Sequence, residues 1–180
     1  LGTIEDDLRR RDFSINALAI RLNADRFGEL VDYSNGVQDL RTGSVRTLHA
    51  RSFIDDPTRI FRAVRYEQRY GFRIAEEDQT RIHEAIHKGV LDSISGERIR
   101  SEFNRIFAEA VVPCIVQRLL EFDVFCTLNR GWKIALDFGV YWTAVQKATD
   151  WVSKHLCDDE IDITLFPWMS LLRTAIFSGT

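Results

Sequence analysis

The 180-residue sequence predicts an α+β chain that is mainly α-helical: a short β-hairpin followed by a helical array. Three observations carry this. Two short apolar stretches, ALAIRL at 17–22 and GELVDY at 28–33, flank the polar turn NADRF, as in a hairpin with a five- to six-residue connection. From Asp56 onward apolar residues recur every three to four positions. Neither an internal repeat nor a low-complexity tract interrupts either pattern.

The elements follow in order. After the hairpin comes a segment punctuated by Asn35, Gly36 and Gly43, and then SVRTL, which reads as a last short strand. Asp56-Pro57 is a helix-start signal, because the carboxylate can accept from free amides and proline needs no donor at the first helical position. On the helix that follows, Ile60, Phe61, Ala63 and Val64 share one side, while Arg59, Arg62, Arg65 and Arg69 gather on the other. Further helices are expected over 76–88, 96–109 (apolar Ile99, Phe103, Ile106, Phe107), 113–122, 132–156 and 166–177, with a break at the acidic 158–162 segment.

The arginine face is the first functional signal. Arg59 has Asp55 and Asp56 one turn back, whereas Arg62, Arg65 and Arg69 have no acid three or four positions away and repel one another. An anion from elsewhere is expected to answer them. Net charge is only −3, which does not suggest a general nucleic-acid coat. Yet residues 1–105 hold 18 of the 24 basic residues, and only Lys88, Lys133, Lys147 and Lys154 in the whole chain are lysines. Arginine's planar fork suits bidentate phosphate and base contacts, so phosphate recognition falls in the N-terminal part.

Other signals point to ordinary structure. Cys114, Cys126 and Cys157 lack Cys-x-x-Cys spacing and are expected as reduced core residues. His83-Glu84-Ala85-Ile86-His87 satisfies the zinc-protease pattern formally, but His49 and His155 are far away in sequence and the stretch reads as a plain helix. The acids at 158–162 lack EF-hand spacing and read as a solvated loop. Trp132, Trp142, Trp151 and Trp168 lie in apolar contexts that favour a core over a base-stacking platform. No apolar run approaches the length of a membrane span and no leader pattern opens the chain, so no membrane partner and a cytoplasmic setting are expected.

Four stretches in order resemble a known family. RRRDFSINALAI (9–20) resembles the Arg-Arg-Asp-Phe-Thr-x-Asn-Ala motif of class II tRNA nucleotidyltransferases and bacterial poly(A) polymerases, and DDPTRIFRAVRYEQRYGF resembles their Glu-Asp-x-x-Arg nucleotide-selecting helix, with Asp55 where the family usually has Glu. VDYSNGVQDLRTGSVRTL resembles the Asp-x-x-x-Gly-x-x-Asp-Leu segment, and ISGERIRSEFNRIF the following neck helix. The resemblance covers about residues 1–125 and implies the C-terminal edge of a nucleotidyltransferase palm over 1–48, a helical neck over 49–110 and a helical body over 111–180. It implies that Asp56 and Arg59 read the base edge, that Arg62 and Arg65 face ribose and triphosphate, that Asp12 senses the ribose 2′-hydroxyl and that Arg11 contacts the nucleotide. Asn16 matches the first motif and Arg69 is outside the set. The implied activity is addition of A, or of C and A, to a tRNA 3′ end without a nucleic-acid template. The run SFIDDPTRIFRAVRYEQRYGF is most like the branch that adds only the terminal A. The implied partners are a tRNA 3′ end and a nucleoside triphosphate, ATP and possibly CTP. The family's two Mg2+ ions are held by an Asp-x-Asp pair beside a Gly-Gly loop, both N-terminal to the first motif, so this chain is expected to be a fragment that is not catalytic by itself. The alternatives are a poly(A) polymerase or, from another class, a non-catalytic RNA-binding module.

Overall fold

The computed structural model describes residues 2–128, 138–155 and 162–176 and divides into two compact units, Leu1–Ala110 and Val111–Thr180. The chain is α+β and mainly helical.

In the first unit, helix α1 (Ile4–Arg9) starts from a capping box in which Thr3 and Asp6 satisfy each other's backbone donors. Phe13 then drops into the core and bridges to Thr47, and a 3-10 turn (Ser14–Asn16) leads into β1 (Leu18–Ile20). This strand pairs antiparallel with β2 (Leu30–Asp32), register Ala19 opposite Val31, as the expected hairpin. The segment punctuated by Asn35, Gly36 and Gly43 forms helix α2 (Gly36–Thr42). Asp32 starts it: one carboxylate oxygen accepts from the amides of Ser34 and Gly36, the other from Val37. Burial alone would raise the pKa of Asp32, but these backbone donors hold it below the ordinary value. Position 36 must be glycine, since a Cβ there would lie 2.2 Å from the Ser14 carbonyl oxygen. That close approach lets the buried Ser14 hydroxyl donate to Asp39 at 2.5 Å.

SVRTL contributes only the two-residue strand β3 (Ser44–Val45). Its partner is a strand that the periodicity did not reveal. After the short helix α3 (Ser52–Asp55) and helix α4 (Arg59–Tyr70), Gly71 turns the chain at φ 65 and β4 (Arg73–Ile74) pairs parallel with β3. Buried Glu67 locks this return by accepting from the Ile74 amide at 3.0 Å. Helix α5 (Glu76–His87) sends Asp78 back to accept both the amide and the hydroxyl of Thr47, each at 2.7 Å. Helix α6 (Gly96–Phe107) begins at a Ser95 cap and packs Phe103 edge-on against Phe61, centroids 5.7 Å apart.

Helix α4 itself has the predicted two faces: Ile60, Phe61, Ala63 and Val64 are fully buried. Its regular part starts at Arg59, two residues after the expected first helical position, Pro57. Asp56, Pro57 and Thr58 form a tight first turn, in which the Arg59 amide donates to the Asp56 carbonyl and the Ile60 amide to the Pro57 carbonyl. Asp56 still caps it by accepting from the Thr58 amide at 3.2 Å.

In the second unit, α7 (Val112–Glu121) buries Val112, Ile115, Val116 and Leu119. It is followed by α8 (Val124–Leu128), α9 (Phe138–His155) and α10 (Phe166–Ile176), which packs on α9. Two expectations change here. Cys114 and Cys126 are exposed instead of core, because both fall off the apolar stripe of their helices. Trp142 is buried, whereas Trp151 is 54% exposed and stacks on His155 one helical turn on. Trp132, Cys157 and most of the acidic 158–162 segment lie outside the described residues.

Candidate nucleotide-binding site

Three sequence segments, from the first motif, the arginine helix and the neck helix, meet around one polar cavity of about 620 Å³ in the first unit. Arg11 and Asp12 arrive on the turn after α1, Asp56 and Thr58 on the tight turn before α4, Arg59, Arg62 and Tyr66 on α4 itself, and Arg98, Glu102 and Arg105 on one face of α6. Six arginines and three carboxylates line it. That positive excess suits a polyanion, and the carboxylates supply acceptors that a bare phosphate site has no use for.

Asp12 is the hub. Its Oδ1 accepts from the Phe13 amide and the Asn16 side-chain amide, both at 3.0 Å; its Oδ2 accepts from Arg62 Nε at 2.7 Å and from a second Arg62 nitrogen. Burial pushes the Asp12 carboxyl up, yet the Asn16 and Arg62 hydrogen bonds more than reverse this and leave its pKa below the ordinary aspartate value. For Arg62, burial works against the charge, and the bonded Asp12 overcomes it, so its pKa is raised.

The arginine face thus finds its anions within the protein. They come from 50 residues upstream for Arg62 and 40 downstream for Arg69, which sits 3.3 Å from Glu109. Arg65 shares Glu109 at 3.8 Å, is only 12% exposed, and lies over the Tyr66 ring at 5.1 Å. Of the six residues singled out from sequence, Arg11, Asp12, Asp56, Arg59 and Arg62 line the cavity; Arg65 does not and stands behind Tyr66. The side chains of Asp56 and Arg59 do not bond to each other. Arg59 donates to the Ser52 hydroxyl at 2.5 Å and to the Arg10 carbonyl at 3.4 Å, while Asp56 pairs with Arg98 at 2.8 Å. Burial raises the Asp56 pKa, but the Thr58 hydroxyl and Arg98 outweigh it and the net shift is downward.

Arg98, Glu102 and Arg105 went unread as site residues. Their i, i+4, i+7 spacing on a basic helix was a visible signal, but only the packing of α6 beside α4 turns that face inward. Glu102 is buried, accepts from Arg105 at 3.0 Å through Oε1, and has no hydrogen-bond partner at Oε2. His83, Glu84 and His87 are exposed on α5, and among the described residues no group of three or more His, Cys, Asp or Glu side chains could hold a metal ion.

A small α+β unit whose polar cavity combines hydrogen-bond acceptors with an arginine cluster has the chemistry to hold a nucleotide. The comparisons with known proteins narrow this. Residues 2–46 match the poly A polymerase head domain, and residues 71–133 match the probable RNA and SrmB-binding site of polymerase A. The A-adding tRNA nucleotidyltransferase of Geobacter sulfurreducens is 46% identical over 108 residues, 60% of this chain and 12% of the relative. That of Aquifex aeolicus is 31% identical over 173 residues, 95% of this chain and 20% of the relative. The Thermotoga maritima CCA-adding enzyme complexed with tRNA(CCA) superposes with a TM-score of 0.81 at 37% identity, over 94% of this chain and 41% of that one. A CCA-adding enzyme solved with ATP gives 0.82 at 37% identity, covering 94% and 40%. The chain belongs to the tRNA nucleotidyltransferase and poly(A) polymerase family. It spans about an eighth to a fifth of the length of these two curated relatives.

Proposed function

We propose that this chain is the nucleotide-selecting and tRNA-binding part of a tRNA nucleotidyltransferase that adds A to the tRNA 3′ end without a nucleic-acid template. The observation that carries it is the convergence of Asp12, Asp56, Arg59 and Arg62, from motifs 44 residues apart, on one cavity. Asp56 accepts from the exocyclic amine of the incoming base, and Arg59 donates to the adjacent ring acceptor. Asp12 accepts from the ribose 2′-hydroxyl, and Arg11 and Arg62 neutralise the triphosphate. Arg65 acts from behind, by fixing the Tyr66 ring that forms part of the wall. The three parts of the chain are a palm edge (1–48), a neck (49–110) and a helical body (111–180).

The Mg2+ ions implied by the resemblance would supply two-metal phosphoryl transfer; among the described residues no group of three or more His, Cys, Asp or Glu side chains could hold them. The chain's own residues choose and hold the nucleotide. No helix among the described residues is long and apolar enough to cross a membrane, which accords with a cytoplasmic tRNA-processing role.

Addition of both C and A is the second reading. Cytosine and adenine each offer an amine beside a ring acceptor, so the Asp56 and Arg59 pair accommodates both, and CCA-adding enzymes share the fold. The test is an assay of the full-length protein on tRNA lacking its 3′ end, ending in C, and ending in CC. Addition of A to the CC form alone supports the first reading, and incorporation of C moves the assignment to the second. Equal binding of ATP, CTP, GTP and UTP with no transfer would instead indicate a non-catalytic RNA-binding module.

A further inference from the structure

Asp56 divides its two oxygens unequally. Oδ1 accepts from three donors: the Thr58 amide at 3.2 Å, the Thr58 hydroxyl at 2.7 Å and Arg98 at 2.8 Å. Oδ2 accepts from none of the described residues, although Asp56 lines the cavity. Arg98 also donates to the Thr58 hydroxyl at 3.3 Å, which closes a three-membered cluster. Arg98 reaches this point from 42 residues downstream, set in the first turn of α6 by the Ser95 hydroxyl that accepts its amide at 3.4 Å.

We propose that Arg98 is a positioning residue for base selection: it pins one oxygen of Asp56 and so leaves the other available to an exocyclic amine of the incoming nucleotide. This rests on the reading of Asp56 as the base-edge acceptor. The alternative partner is close at hand. Arg59 lies three positions on, and without Arg98 only the two Thr58 donors would hold Oδ1, leaving the carboxylate able to turn toward the Arg59 guanidinium. Such a pair would satisfy the amine acceptor and the ring donor with each other and remove both from the base. Arg98 keeps them apart on one side, as Ser52 and the Arg10 carbonyl do for Arg59 on the other.

The experiment uses the full-length protein with tRNA ending in CC and compares kcat/KM for ATP and GTP in Arg98→Ala, Arg98→Lys, Asp56→Ala and the double variant. Because the Arg98 and Asp56 pair is partly solvated, Arg98→Ala is expected to lower the ATP-to-GTP ratio about two- to fivefold. Arg98→Lys should recover most of the loss, since an ammonium can still reach Oδ1. The double variant should match Asp56→Ala alone, as expected for residues acting as one unit. Should Arg98→Ala melt appreciably lower than the parent, Arg98→Gln is read in its place. If Asp56→Ala lowers the ratio and Arg98→Ala does not, or Arg98→Ala weakens ATP and GTP equally, the role of Arg98 is refuted while the base-edge reading stands. If Asp56→Ala leaves the ratio unchanged, the base-edge reading fails and this proposal with it.

Discussion

Replacing Arg62 by alanine tests the contact that joins the two motifs. The substitution removes both donors from Asp12 Oδ2 but leaves the Phe13 and Asn16 donors on Oδ1. The Arg62 side chain is 26% exposed and that of Asp12 only 10%, so water replaces the guanidinium poorly. Stranding a largely buried carboxylate oxygen costs on the order of 2 kcal/mol, less than the loss of a fully buried pair because half of the Asp12 partners survive. For a chain of this size that corresponds to a fall in Tm of about 4–8 °C near neutral pH. The pH dependence sharpens the test. Asp12 has a folded pKa below its unfolded value, so its stabilisation is fully present above the unfolded value and is lost as pH falls through the folded one. In the variant, burial is opposed by fewer donors and the carboxyl shifts upward. The Tm gap between parent and variant should therefore hold steady from neutral to mildly acidic pH and shrink below the ordinary aspartate range. Calorimetry across this range decides the matter. A gap under about 1 °C at neutral pH, or one that widens on acidification, would refute the claim that Arg62 holds Asp12 ionised.

Three further outcomes are expected. Arg59→Ala in the full-length protein should lower kcat/KM for the correct nucleotide roughly ten- to a hundredfold, the worth of one charged hydrogen bond, and narrow the ratio to wrong bases in steady-state kinetics. Asp12→Ala should raise use of dATP relative to ATP without reordering the bases, because deoxyribose lacks the hydroxyl that Asp12 is proposed to accept from; an unchanged ratio in the same assay would remove that role. Gly36→Ala should destabilise the fold by about 3 kcal/mol in denaturant titration, since its Cβ would meet a backbone carbonyl at 2.2 Å that cannot move without breaking the Ser14 turn.

The hairpin, the long helices and the two-faced character of α4 were legible in the sequence because each is set by local periodicity. Ile60, Phe61, Ala63 and Val64 could be assigned to the core before any contact was known, and five of the six proposed site residues do share a cavity. The elements that escaped have little periodicity to show: a seven-residue helix after the hairpin, and β4, two residues long and paired with β3 from across α4. Where the charges go was also beyond local reading. The arginines of α4 were correctly seen to lack acids within a turn, but the acids that answer them, Asp12 and Glu109, are 40 to 50 residues away and meet them only after the segments pack. By itself the sequence determined which residues are apolar, which helix is cationic and which motifs are present, since these depend on side-chain chemistry and spacing along one segment. Only the tertiary structure decided that Asp56 pairs with Arg98 instead of Arg59, that Arg65 stands outside the cavity and that α6 forms one of its walls. Ion pairs and cavities are made between segments, so their partners are chosen by the packing that brings those segments together.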